Sequence, residues 1–201
     1  MRRGRAGGAG PGRGGARRSR RARRPRPLGR DALEGLTPVA GERRRLVAVT
    51  LDEGSIGRGN PDQEHERRIA IYDLVEENSF GLSGRDGPGP DGGPYRLAIG
   101  LQEGKLVFSV ADEAGAPLMS HLLSLQPFRS VLKDYLMLCD TYYRAIRTAS
   151  PSLIEAIDMG RRGLHDEGAA LLGERLRGKV EADPGTLRRL FTLMTALHYK
   201  G

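Results

Sequence analysis

Four side chains early in the sequence have the types that a divalent ion or a proton-transfer step would use: Asp52, Glu53, Asp62 and His65. His65 lies in GRGNPDQEHERR (57–68), where Glu64 and Glu66 flank it, and Asp52 and Glu53 close an apolar run just upstream. Carboxylates and imidazole can hold a metal or divide acid–base work. Bringing these four together needs only one strand, one turn and one helix to fold back. No characteristic metal spacing appears, however, and helix-start chemistry explains most of the cluster. Asn60 is a strong N-cap, Pro61 suits the first helical position, Gln63 stands where a capping box needs it, and Asp62 and Glu64 favour the positive end of the dipole. The buried side is expected from Ile69, Ile71, Tyr72, Leu74 and Val75, with His65 half-buried at its edge and bonded to the preceding loop. GSIGRG (54–59) matches neither the dinucleotide fingerprint nor the P-loop, and the carboxylates around it oppose a phosphate. A flexible connection is expected there.

The second candidate is GRRG, Gly160 to Gly163, in a helix-forming stretch that also holds Gly168 and Gly173. Interior glycines cost about 0.5–1 kcal/mol each against alanine, so either another element approaches closely or the helix opens at GRRG. An open GRRG resembles the GXXG loop of the KH module, with Gly160 and Gly163 framing a clamp and Arg161 and Arg162 on a phosphate. These four are the candidate nucleic-acid-binding residues. A continuous core helix with its arginines in solvent is the expected state, and no catalytic residue, metal ligand or cofactor is assigned. Cys139, the sole cysteine, allows neither an internal disulfide nor a thiolate cluster and is expected as inert packing beside aromatics. His165, Asp166 and Glu167 point about 100° apart on a helix and do not converge; His121 and His198 are isolated and read as structural.

The elements that position these groups follow from periodicity. LVAVTL (46–51) is a β-branched strand. YRLAIGL (95–101), KLVFSVAD (105–112) and LMSHLLSL (118–125) form an antiparallel meander, joined to the first helix by the glycine-rich surface loop 81–93. Phe128, Val131, Leu132, Tyr135, Leu138, Cys139, Tyr142 and Ile146 recur at helical spacing between Pro127 and Thr148. Ser150-Pro151 starts another helix, KVEAD (179–183) reads as a short strand, and Pro184 begins a final amphipathic helix. The expected class is α+β, a small antiparallel sheet of three to four strands packed against three to four helices.

The formal charge of +8 on 201 residues is misleading. Residues 1–45 hold fifteen arginines and three acids, so residues 46–201 carry −4. Segment 1–45 is expected to be a disordered Arg/Gly-rich tail, read either as a nucleic-acid arm or as the product of a start codon assigned too far upstream in a GC-rich gene. Residues 46–201 are expected to form a single domain. With one cysteine, no export signal and no apolar run long enough for a membrane, a cytoplasmic protein is expected, its oligomeric state unspecified.

LVAVTLDEGSIGRGNPDQEHER, IYDLVEENSF, GPYRL, SLQPFRSVLKDY, EAIDMGRRGLHDEG and RRLFTLMTALH, all within residues 45–201, resemble an uncharacterised family of alphaproteobacteria, UPF0262. The resemblance implies members that begin near the first strand, and it carries no activity or ligand. The residues themselves point to a binding or interaction protein, its partner a protein or a nucleic-acid assembly, because no catalytic set converges. The alternative is a divalent-metal-dependent enzyme using Asp52, Glu53, Asp62 and His65.

Overall fold

The computed structural model of the protein describes residues 43–83 and 92–198. The expectations for the arginine-rich segment up to residue 42, and for residues 84–91 of the glycine-rich loop, lie outside the described residues. The fold is α+β. Strand β1 (Leu46–Leu51) is followed by a single turn of helix, α1 (Glu53–Ile56), and by α2 (Pro61–Glu76). After the short β2 (Phe80–Leu82), strands β3 (Tyr95–Gln102), β4 (Lys105–Asp112) and β5 (Pro117–Ser124) form the expected meander. A 3-10 turn leads into α3 (Arg129–Thr148), then α4 (Pro151–Leu176), β6 (Val180–Ala182) and α5 (Pro184–His198).

Two features of the sheets go beyond the expected antiparallel arrangement. The main sheet, ordered β1-β3-β4-β5, is mixed, because β1 lies parallel to β3. A parallel neighbour requires a crossover, and α2 supplies it. The strand read in KVEAD joins a different sheet, pairing antiparallel with β2, which places Phe80 opposite Ala182 and Leu82 opposite Val180. One face of the main sheet, with Tyr95, Leu97, Ile99, Leu106, Phe108 and Val110, merges with Leu74, Phe128, Leu132, Leu172, Phe191 and Met194 of the helices into one core. Helices α2 and α4 both lie along α5, and α3 lies along α4.

The start of the β1 margin is capped at Leu46. The side chain of Asn78 accepts from the Leu46 N–H at 2.6 Å and donates to the Leu46 carbonyl at 3.0 Å, and the Phe80 N–H donates to the Arg44 carbonyl at 2.9 Å. Arg44 also pairs with Glu181 of β6, so the contacts of the fold begin just ahead of the first strand.

A candidate binding groove among the helices

The opening cluster is a structural lock. The capping box forms in full: Gln63 N–H donates to Asn60 Oδ1 at 2.9 Å and Asn60 N–H donates to Gln63 Oε1 at 2.8 Å. Glu64 Oε1 accepts from the Gly59 N–H at 2.6 Å, which holds its carboxyl below the usual range, with Arg67 adding to the effect. Arg67 is buried and donates to the Gly57 carbonyl at 3.0 Å and to Glu64 at 2.7 Å. Residues 54–59 are therefore tied down, not a flexible connection.

The buried residues of α2 are Arg67, Ala70 and Leu74, while Ile69 is 42 % and Tyr72 64 % exposed. His65 is exposed as well. The bond to the loop that was expected of His65 is made by Arg67, which sits one turn from Glu64 and has the reach to find the Gly57 carbonyl. The groups of the metal reading disperse. Asp52 caps α1, accepting from the Gly54 N–H at 3.1 Å, and Glu53 accepts from Arg58 at 3.0 Å. Among the described residues no three His, Cys, Asp or Glu side chains converge as a metal site requires.

GRRG lies inside α4, whose helix runs unbroken from Pro151 to Leu176. The open loop of a KH-type clamp is absent, since the backbone amides of Gly160, Arg161, Arg162 and Gly163 lie within the helix. Both guanidinium groups turn back to Asp158, Arg161 at 2.7 Å and Arg162 at 2.7 Å. Pairing with Arg161 first, and with Arg162, holds the Asp158 carboxyl below its ordinary range. The glycines answer to packing at three of four positions. A β-carbon on Gly160 would stand 3.3 Å from Leu138 and one on Gly173 2.8 Å from Leu187, while Gly168 faces Phe191; Gly163 faces open space.

Arg161 nevertheless reaches a site. Between α2 and α3, with α5 as its floor, runs a groove of about 530 Å³. Ile69 and Ala70 line one wall and Tyr135, Leu136, Cys139 and Tyr143 the other; Thr192, Thr195 and Ala196 form the floor, and Asp62, Glu66 and Arg161 stand at its rim. Arg161 also lies over the ring of Tyr142, 5.4 Å from its centroid. Burial pushes the Tyr135 phenol up to about 12, and burial likewise raises the Cys139 thiol, so neither is ionised near neutrality. Cys139 is thus the inert thiol its helix position predicts.

Behind the groove the His165 ring packs against Tyr135 and Phe191, 5.5 Å from each. Burial lowers its pKa, and the positive charge of Arg188 adds to this. Thr192 donates its hydroxyl to the Arg188 carbonyl at 3.1 Å, so the 2.8 Å contact between them requires that His165 Nε2–H donates to Thr192. The histidine is neutral and faces the wall. The groove thus presents apolar and aromatic surface with charged groups at its rim. Sequence reasoning found Arg161 and Cys139 but not the groove; the surplus of apolar residues on α2, more than one face can bury, is the signal that points to it.

Fold and groove together define an α+β scaffold with an apolar groove among its helices. The chain belongs to the uncharacterised protein family UPF0262, which it matches over residues 43–200. It is 62 % identical over 157 residues to a UPF0262 protein of Bradyrhizobium sp. (strain ORS 278), covering 78 % of this chain and 91 % of that one. It is 61 % identical to a UPF0262 protein of Methylobacterium radiotolerans, covering 78 % and 94 %, and 60 % identical to one of Nitrobacter winogradskyi, covering 79 % and 92 %. No solved structure matches. Among the described residues no helix is long and apolar enough to cross a membrane.

Proposed function

We propose that the protein acts by binding, and that the groove between α2 and α3 receives an amphipathic, basic segment of a protein partner in the cytoplasm. The observation that carries this reading is the partly exposed apolar lining, with Ile69 42 % and Tyr143 60 % accessible, beneath a rim that holds Asp62 and Glu66. A helix laying its apolar face in a groove covers such residues, and basic residues on its flank meet the two carboxylates. The same carboxylates repel a nucleic-acid backbone, and Arg161 and Arg162 already share Asp158. The single cysteine supports the cytoplasmic setting.

A photo-crosslinking residue in place of Tyr143, in the full chain inside cells, tests the reading, with the same residue at Glu103 in the β3–β4 turn as control. The expected result is one protein adduct from position 143, absent from position 103, mapping to an apolar and basic segment and lost in Ile69→Asp. Adducts to RNA, or protein adducts that survive Ile69→Asp, overturn it.

A further inference from the structure

We propose that the open margin of β5 pairs with the same margin of a second copy of this chain, joining two sheets about a twofold axis at Ser120. Asn78 takes the outward backbone groups of Leu46 at the start of β1, whereas among the described residues β5 has a strand neighbour only in β4. The β3–β4 turn fixes which backbone groups of β5 are open. Glu103 and Gly104 both have positive φ, 50° and 72°, as a two-residue type I′ hairpin requires, so Gln102 and Lys105 form its closing hydrogen-bonded pair. Alternation along β4 then directs Leu106, Phe108 and Val110 to their β5 partners Leu123, His121 and Met119. The N–H and C=O groups of Ser120 and Leu122 are left facing outward, with Leu118 beside them as the extra residue opposite Ala111.

An isolated edge is usually blunted by a lysine, a central proline, a bulge or a cover. PLMSHLLS carries no charge and its proline is its first residue; the one extra residue in its pairing is Leu118, next to that proline, and Met119 to Ser124 pair regularly. Leu118 and Leu122 are exposed at 38 % and 49 %, on the face turned away from the core and equally spaced about Ser120. Antiparallel pairing centred there sets each Leu118 against Leu122 of the second copy, and Met119 against His121, so no like charges meet. A shift of two residues would set those leucines against Ser120 or Ser124 instead. The strand is thus complementary to itself in one register, and that selects a second copy over a foreign strand. This margin is separate from the groove between α2 and α3, so the two readings stand or fall independently.

Sedimentation of the full chain, in salt high enough to screen its basic segment, should give twice the 21.9 kDa of one chain. Leu118→Lys/Leu122→Lys, checked for folding by circular dichroism, should sediment as a monomer. The register is read separately with Ser120→Cys in a Cys139→Ser background: paired Ser120 residues stand about 5.5 Å apart at Cα, within disulfide range, so mild oxidation should yield a covalent dimer. A wild-type chain that stays monomeric to about 100 µM, a folded double-lysine variant that remains dimeric, or a Ser120→Cys chain that does not crosslink overturns the proposal.

Discussion

The ring of Phe191 on α5 occupies the place where a side chain on residue 168 of α4 would begin, so that Gly168 is the point at which the two helices meet face to face. A β-carbon there would lie well inside van der Waals contact with the ring, and Phe191 is fully buried and unable to step aside. Gly168→Ala therefore introduces an overlap of the kind that costs about 1–3 kcal/mol, against which helix propensity returns at most about 1 kcal/mol. Urea unfolding should show a net loss. Gly163→Ala is the contrast, because nothing lies within 4 Å of the added carbon. It should gain roughly 0.5–1 kcal/mol from propensity alone.

Asn78 and Asn60 both satisfy backbone groups with a side chain, yet their removal should differ in severity. Asn60→Ala frees the Gln63 N–H, which is open to water, and should cost about 0.5–2 kcal/mol. Asn78→Ala strands the N–H of Leu46, a fully buried residue, and also deprives the carbonyls of Leu46, Leu74 and Val75 of a donor. A stranded buried group costs about 1–3 kcal/mol, and several share this partner, so the loss should lie at or above the top of that range. Equal midpoints for the two variants in denaturant would contradict this ordering.

Arg67→Ala should be among the more damaging changes on α2, although the residue is charged and the helix lies at the surface. The Glu64 side chain left behind is 37 % exposed and can rehydrate, so the loss comes from the stranded Gly57 carbonyl and the lost packing of the buried stem and should be about 1–3 kcal/mol. The Gly57 carbonyl loses its donor at the same time, so limited proteolysis should cut between residues 54 and 59 in the variant and not in the wild type.

Stability should fall as the pH drops below 6.5, the ordinary value of histidine, before the carboxylates begin to titrate. Burial lowers the folded-state pKa of His165, and also that of His121, where Lys179 contributes. Between the folded and unfolded values the unfolded chain binds more protons, so stability is complete above 6.5 and is lost as the pH falls through the window beneath it. His165→Gln, which can still donate to Thr192, should flatten that slope in thermal melts taken from pH 7 downwards. An unchanged slope would locate the titration elsewhere.

Much of this architecture was legible because its causes are local. Asn60, Pro61 and Gln63 settle the start of α2 within four residues, the alternation in KLVFSVAD marks β4, and the stripe from Phe128 to Tyr142 marks α3. What escaped depends on partners distant in sequence. Phe80–Leu82 is too short to announce a strand and becomes one only beside Val180–Ala182. The parallel setting of β1 follows from the crossover through α2, not from any property of LVAVTL. The burial of Arg67 was hidden by its charge, since a guanidinium reads as solvent-facing until the carbonyl it serves is in view. For GRRG the deciding residue, Asp158, stands only three and four positions away from the two arginines, and that spacing could have been weighed from sequence. The groove could not, because three helices and the tip of an arginine from a fourth meet to form it.

Asn78 has a further consequence for how far such a sheet can extend. A strand normally offers two margins and so can be continued in both directions, which is how ordered aggregates grow without limit. In this sheet Asn78 takes up the backbone groups of Leu46 at the start of β1, and the Phe80 N–H holds the carbonyl of Arg44 just ahead of it. A strand added on the β1 side would have to displace that amide first, so a single asparagine disfavours growth in that direction.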